Sequence, residues 1–178
     1  LFIDVKYPPR RPSVSLSPSG LIEEGDPVTL TCSSDANPAA KYTWYKEDGD
    51  QNYIRLSSEQ HHVFSSIKSS DSGWYRCDAE NDLGRQTSGL FIDVKYPPRR
   101  PSVSLSPSGL IEEGDPVTLT CSSDANPAAK YTWYKEDGDQ NYIRLSSEQH
   151  HVFSSIKSSD SGWYWCDAEN YLGKQTSG

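Results

Sequence analysis

The stretch Asp71-Ser72-Gly73-Trp74-Tyr75-Arg76-Cys77 ends 45 positions after Cys32, and Trp44 stands between them, 12 positions past that first cysteine. The pattern returns as Cys121, Trp133 and Asp160-Ser161-Gly162-Trp163-Tyr164-Trp165-Cys166. Each residue type at this spacing has a physical task. The cysteines can join two strands across facing sheets, and the tryptophan on a strand between them can bury its ring against that bridge. The tyrosine two places before the second cysteine can turn its hydroxyl back to the backbone at a corner that Asp71 and Gly73 shape.

The whole pattern, twice and in one register, predicts an all-β chain of tandem immunoglobulin-like sandwiches with one disulfide in each, Cys32–Cys77 and Cys121–Cys166. The core signature is Trp44, Asp71, Gly73 and Tyr75 in the first domain, and Trp133, Asp160, Gly162 and Tyr164 in the second. A bridge closing a 45-residue loop stabilises the fold by roughly 4 kcal/mol in the chain-entropy model, an upper figure. That is a large share of the 5–15 kcal/mol about which domain stabilities cluster. Such bridges imply an oxidising compartment; an intracellular structural array with the same cysteines reduced is the competing reading, open to thiol counting.

A shift of 89 superposes Leu1 on Leu90 and Gly89 on Gly178, with three differences: Arg76/Trp165, Asp82/Tyr171 and Arg85/Lys174. A period of this length suits an independently folding domain rather than a solenoid unit. The repeat and the domain are out of phase. Leu90-Phe91-Ile92-Asp93-Val94 completes the last strand, G, of the first domain, so its copy at residues 1–5 reads as the tail of a preceding domain's strand G. The expected boundaries are therefore 1–5 for that tail, 6–95 for domain 1, and 96–178 for domain 2 with strand G cut short. Lys6 to Pro12, repeated as Lys95 to Pro101, holds three prolines that favour polyproline II, a short semi-rigid linker consistent with an extended rod.

Strand B follows the turn Glu23 to Asp26, with Val28, Leu30 and Cys32 inward. Strand C carries Tyr42 and Trp44 on the core face, and Tyr53 to Leu56 is a short strand beside it. Strand E offers Phe64 and Ile67 as a core pair with His62 at the inward slot before them. Strand F is Trp74 to Ala79, and Asn81-Asp82-Leu83-Gly84 is a tight turn in which Gly84 can take positive φ. The interval between the cysteines leaves room for one short extra strand between C and E, which indicates a constant-like or intermediate set and not a variable one.

A net charge of −8 disfavours nucleic acid, polyanions and anionic membranes as partners. His61 and His62 point to opposite strand faces and do not converge on a metal. No nucleophile elbow accompanies the serines, and Asp48 and Asp50 make too short an oxygen ladder for an EF-hand loop. No enzyme, cofactor or metal site is expected. No run of apolar residues is long enough to span a bilayer, so membrane attachment is expected only through an anchor outside these residues. Trp74 and Trp163 face outward on strand F, either as contact residues or as rings lying over neighbouring cationic stems. Together with Trp165 and Tyr171 they are the candidate ligand contacts, since two of the three substitutions trade a charge for an aromatic ring.

Glu24-Gly25-Asp26-Pro27-Val28-Thr29-Leu30-Thr31-Cys32, Ser34-Asp35-Ala36-Asn37-Pro38, Tyr42-Thr43-Trp44-Tyr45-Lys46 and Asn81-Asp82-Leu83-Gly84 resemble the membrane-proximal constant-type domains of the Siglecs, the sialic-acid-binding immunoglobulin-like lectins. The nearest branch in appearance is that of the B-cell inhibitory receptor and sialoadhesin, and Tyr96-Pro97-Pro98 is similar to that family's linkers. In that family an arginine on strand F of a variable-type domain holds sialic acid. Arg76 lies on strand F but between Tyr75 and Cys77 of a constant-like domain, with Trp165 as its copy, so the role is not carried over. The resemblance implies the extracellular side of a single-pass leukocyte adhesion or inhibitory receptor, these domains acting mainly as spacers with lateral contacts. Cell-surface protein or glycan ligands would then be met through the parent receptor. One rival reading is a protein-binding module on the aromatic strand-F face. A further expectation concerns the cut strand: another molecule's Leu1 to Val5 can supply it by strand addition, or a fragment boundary alone accounts for it.

Overall fold

The computed structural model describes residues Leu1–Gly178, which form two compact units, Leu1–Lys95 and Tyr96–Gly178. In the first unit the strands are β1 (Ser13–Ser17), β2 (Ile22–Glu23), β3 (Val28–Ser33), β4 (Lys41–Glu47), β5 (Tyr53–Ser57), β6 (His61–Phe64), β7 (Gly73–Asn81), β8 (Gly84–Ile92) and β9 (Val94–Lys95). One sheet has the order β1-β3-β6 and the facing sheet β5-β4-β7-β8, while β9 pairs in parallel with β2 through Ile22↔Val94 and Glu23↔Lys95. Period-2 alternation explains the layering: Val28, Leu30 and Cys32 of β3 are buried while the threonines between them are not. Between the sheets lie Trp44, Ile67, Tyr75, Ile92 and Val94 around the Cys32–Cys77 disulfide, all fully or nearly fully buried.

Three local expectations give way to different geometry. Ile67 belongs to the core but not to β6: the chain bends at Ser65 and Ser66, which restores an inward direction three residues after Phe64. There Ile67 exchanges backbone hydrogen bonds with the β2–β3 turn, its N–H donating to the Asp26 carbonyl at 2.9 Å and its carbonyl accepting from Gly25 at 2.7 Å. Gly84 does not adopt positive φ; it opens β8 opposite Asn81. A Cβ at Gly84 would stand 3.1 Å from the Pro8 Cβ, so the glycine serves close approach rather than turn conformation. The proline segment packs on its own unit instead of standing free: Pro9 and Pro12 are buried, and Tyr7 pairs with Asn37. Prolines bring no N–H that burial could leave unpaired.

The second unit repeats the plan with β10 (Ser102–Ser106), β11 (Val117–Ser122), β12 (Lys130–Glu136), β13 (Tyr142–Ser146), β14 (His150–Phe153), β15 (Tyr164–Asn170) and β16 (Gly173–Thr176), in sheets ordered β10-β11-β14 and β13-β12-β15-β16. Its disulfide is Cys121–Cys166. Ile111, Ile156 and Tyr164 are half-buried, where Ile22, Ile67 and Tyr75 of the first unit are buried. No helix is long and apolar enough to cross a membrane.

Candidate interaction surface

The residues of the repeated pattern sit where the fold needs them. The Trp44 indole N–H donates to the Gln60 carbonyl at 3.1 Å and its ring is fully buried; Trp133 does the same with Gln149. The Tyr75 hydroxyl donates to the Asp71 carbonyl, and burial, with the Asp71 charge adding to it, pushes that phenol well above its ordinary range. Tyr164 and Asp160 repeat the bond, with the phenol again raised first by burial. The Asp71 carboxylate accepts from the Lys68 N–H at 2.8 Å, as Asp160 does from Lys157. Gly73 and Gly162 hold φ of 147° and 152°, a conformation that L side chains avoid. Burial lowers the imidazole pKa of His62 and of His151, with Asp71 and Asp160 opposing the shift.

Surface chemistry is concentrated on the outer face of the four-stranded sheet, and the substitutions between the units reshape it. On the first unit the register sets Arg76 of β7 beside Tyr45 of β4. Its guanidinium lies over two rings, 4.8 Å from the Tyr45 centroid and 4.2 Å from that of Tyr53. The same side chain makes an oblique ion pair with Asp78 at 3.1 Å, and Arg85 approaches that carboxylate from β8 at 3.9 Å. Asp78 points away from the core by strand parity, yet its side chain is only 5% exposed. Two arginines cover it.

On the second unit Trp165 takes the place of Arg76. It stacks on Tyr134 with centroids 6.0 Å apart and meets Tyr142 edge-on at 5.6 Å, and the two tyrosines contact each other at 5.4 Å. Asp167 keeps one cation, Lys174 at 3.5 Å, and accepts a hydrogen bond of 2.6 Å from Thr176. The charged lid of the first unit is thus an aromatic trio on the second, with Tyr142 largely exposed.

The candidate contact residues do not gather in one patch. Trp74 is 53% exposed and packs its ring against Phe91 at 5.3 Å, not over a cationic stem. Trp163 is 76% exposed at the entry to β15, its carbonyl accepting from the Glu136 N–H. Tyr171 stands in the β15–β16 turn beside Pro127 and Lys130, six residues from Trp165 and so about 20 Å away along an extended strand. Trp165 instead joins Tyr134 and Tyr142, two residues that patterning along single strands does not single out. The β12–β15 register, Tyr134↔Trp165, finds the first, and the pairing of β13 on the other edge of β12 brings up Tyr142.

The chain belongs to the immunoglobulin-domain family, whose model matches residues 11–81 and 100–170. Among curated proteins it is similar to the mouse B-cell receptor CD22, 34% identical over 97% of this chain and 20% of that protein. It is also similar to human myelin-associated glycoprotein, 30% identical over 97% of this chain and 27% of that one. Dog vascular cell adhesion protein 1 is 29% identical over 96% of this chain and 23% of its own length. The chain therefore spans about a fifth to a quarter of these relatives. Among solved structures, the mouse nectin-like molecule 4 ectodomain shares the fold with a TM-score of 0.73 at 22% identity, over 96% of this chain and 62% of that one.

Proposed function

We propose that these residues are extracellular immunoglobulin-like domains of a cell-surface adhesion or inhibitory receptor of the Siglec type, serving mainly to space a binding domain from the membrane. The observation that carries the reading is where the repeated residues go. Each unit spends its cysteines, Trp44 or Trp133, Tyr75 or Tyr164, and the paired Asp and Gly on holding the sandwich. In the first unit the outer face is closed by its own Arg76–Asp78–Arg85 contacts. The similarity to CD22 and myelin-associated glycoprotein over a small part of their length supports a two-domain stretch of a longer receptor. We assign no catalytic step. Cell-surface protein or glycan ligands belong to the parent receptor, and its membrane anchor lies outside these residues.

A second reading has a specific observation in its favour. Tyr134, Tyr142 and Trp165 form a partly exposed aromatic cluster on the second unit only, the composition that interface centres favour. Inserting residues 6–178 between a cell-surface binding head and its membrane anchor separates the two readings. Spacing predicts that the head reaches a ligand held farther away, and that Trp165→Arg changes nothing. Adhesion to new cells that Trp165→Arg removes favours the second reading, and reach unchanged by the insertion overturns the first.

A further inference from the structure

Each four-stranded sheet ends on a strand with no further strand beside it, β5 in the first unit and β13 in the second. Both read Tyr-Ile-Arg-Leu-Ser, with no proline or lysine to discourage another strand from pairing there. The backbone of β13 is set for such pairing. The Asp137 N–H donates to the Asn141 carbonyl at 2.9 Å, so by strand alternation Ile143 also turns its polar backbone groups toward β12. Tyr142 and Arg144 turn theirs off the edge of the sheet. Both faces of the strand are open as well, with Tyr142 62% exposed on one and Ile143 48% exposed on the other.

The two edges differ in what lies over the tyrosine. In the first unit the Arg76 guanidinium is 4.2 Å from the Tyr53 ring centroid, so that ring already has its cation. In the second unit Trp165 stands in that place and gives Tyr142 only an edge-on ring contact. Two residues along the same face is Arg144, exposed and bonded to the uncharged Ser147 hydroxyl. One strand thus presents an aromatic ring without a cation and, beside it, a cation without a ring.

We propose that β13 is a self-association edge and that its partner is β13 of a second copy of the chain, added antiparallel about a two-fold axis through Ile143. In that register Tyr142 faces Arg144 of the second copy, and Arg144 faces Tyr142 of the second copy. These are the residues whose backbone groups point off the sheet, so each pair exchanges both backbone hydrogen bonds. On the outer face each Tyr142 ring gains the guanidinium that its own chain does not supply. On the other face the two Ile143 side chains meet on the axis as a non-hydrogen-bonded pair, the closer kind. Moving the axis to Arg144 sets two arginines opposite each other, a like-charge pair. Moving it to Tyr142 sets Arg144 against Gln140, whose φ of 61° lies outside any strand. The contact is isologous and closes at two copies. It goes beyond the spacing role and rests on the second reading above only in using the same rings.

Sedimentation of the intact chain from micromolar to millimolar concentration is the test. The expected weight-average mass rises to twice that of the monomer and levels there. Ile143→Asp, at a position open to solvent, puts two carboxylates on the axis and keeps the chain monomeric, with its melting temperature at low concentration unchanged. Trp165→Arg gives Tyr142 the cation that Tyr53 has and raises the dimer dissociation constant about tenfold, a factor of about three for each ring. Cysteine trapping reads the register. The native chain has no free thiol, and Ile143→Cys brings one beside its copy with Cα atoms about 4.5 Å apart, within disulfide reach. Air oxidation links that variant into dimers and leaves the matching variant of the first unit, Ile54→Cys, mostly monomeric. A wild-type mass that stays monomeric overturns the proposal, even where the chain binds cells through Trp165. So does a mass that climbs past two copies, a dimer that Ile143→Asp does not break, or equal cross-linking of Ile54→Cys.

Discussion

Replacing Arg76 with methionine removes a cation from a carboxylate that the fold has taken out of water. Asp78 then keeps only Arg85, which lies at 3.9 Å and has a side chain 60% exposed. Breaking a fully buried ion pair costs about 3–5 kcal/mol. Arg76 is partly exposed and Arg85 remains, so the loss here is smaller, about 2 kcal/mol, with most of the tyrosine contact kept by the methionine thioether. Arg76→Trp imports the arrangement of the second unit, and stacking on Tyr45 and Tyr53 returns about 1 kcal/mol. For a domain of this size a change of 2 kcal/mol lowers the melting midpoint by roughly 8–16 °C. Calorimetry of the intact chain at low concentration reads this as a shift of the transition of the first unit, with that of the second unit unchanged. Asp78→Asn in the same background isolates the cause. If the orphaned carboxylate dominates, the double variant recovers at least about 1 kcal/mol relative to additivity. Strict additivity of Arg76→Met and Asp78→Asn would falsify the lid interpretation.

Other perturbations read out the scaffold. Tyr75→Phe leaves the Asp71 carbonyl without its partner and costs about 1–2 kcal/mol in urea titration of the first unit, whereas an unchanged midpoint contradicts a structural role for the hydroxyl. At Gly89 a Cβ would stand 2.8 Å from the Tyr75 carbonyl oxygen, so Gly89→Ala should force β8 from β7 at about 1–3 kcal/mol. Faster amide exchange along β8 is the readout. Because burial depresses the pKa of His62 and His151, the unfolded chain binds more protons in acid. Their contribution is fully present above the ordinary histidine pKa of about 6.5 and is lost as pH falls toward the lower folded value. The double variant His62→Leu, His151→Leu should therefore show a flatter fall in melting temperature between pH 7 and 5, and a parallel fall would refute the assignment.

What the sequence made legible were features set by local spacing: both disulfides, the tryptophans packed on them, the tyrosine corner and the alternation of β3 and β7. Features that depend on two strands at once were not. Asp78 reads as an outward surface residue until the arginines of β7 and β8 are placed over it. The partnership of Trp165 with Tyr134 and Tyr142 requires the cross-strand register, and the separation of Tyr171 from Trp165 requires the length of β15. Ile67 reads as a core residue of strand E, and it is in the core, but a bend at Ser65 and Ser66 and not strand parity turns it inward. Gly84 reads from the sequence as a turn residue with positive φ, whereas it opens β8 without that conformation, and its reason for being glycine, the nearness of Pro8, lies 76 residues away in sequence.

The measurement that bears most directly on the functional account is binding of a dimerised form of the chain to leukocytes before and after sialidase treatment. The account predicts no binding above that of the dimerising tag alone, because recognition belongs to other domains of the parent receptor. Binding that survives sialidase and is lost with Trp165→Arg transfers the function to the aromatic cluster. Binding that sialidase abolishes contradicts the spacing role outright.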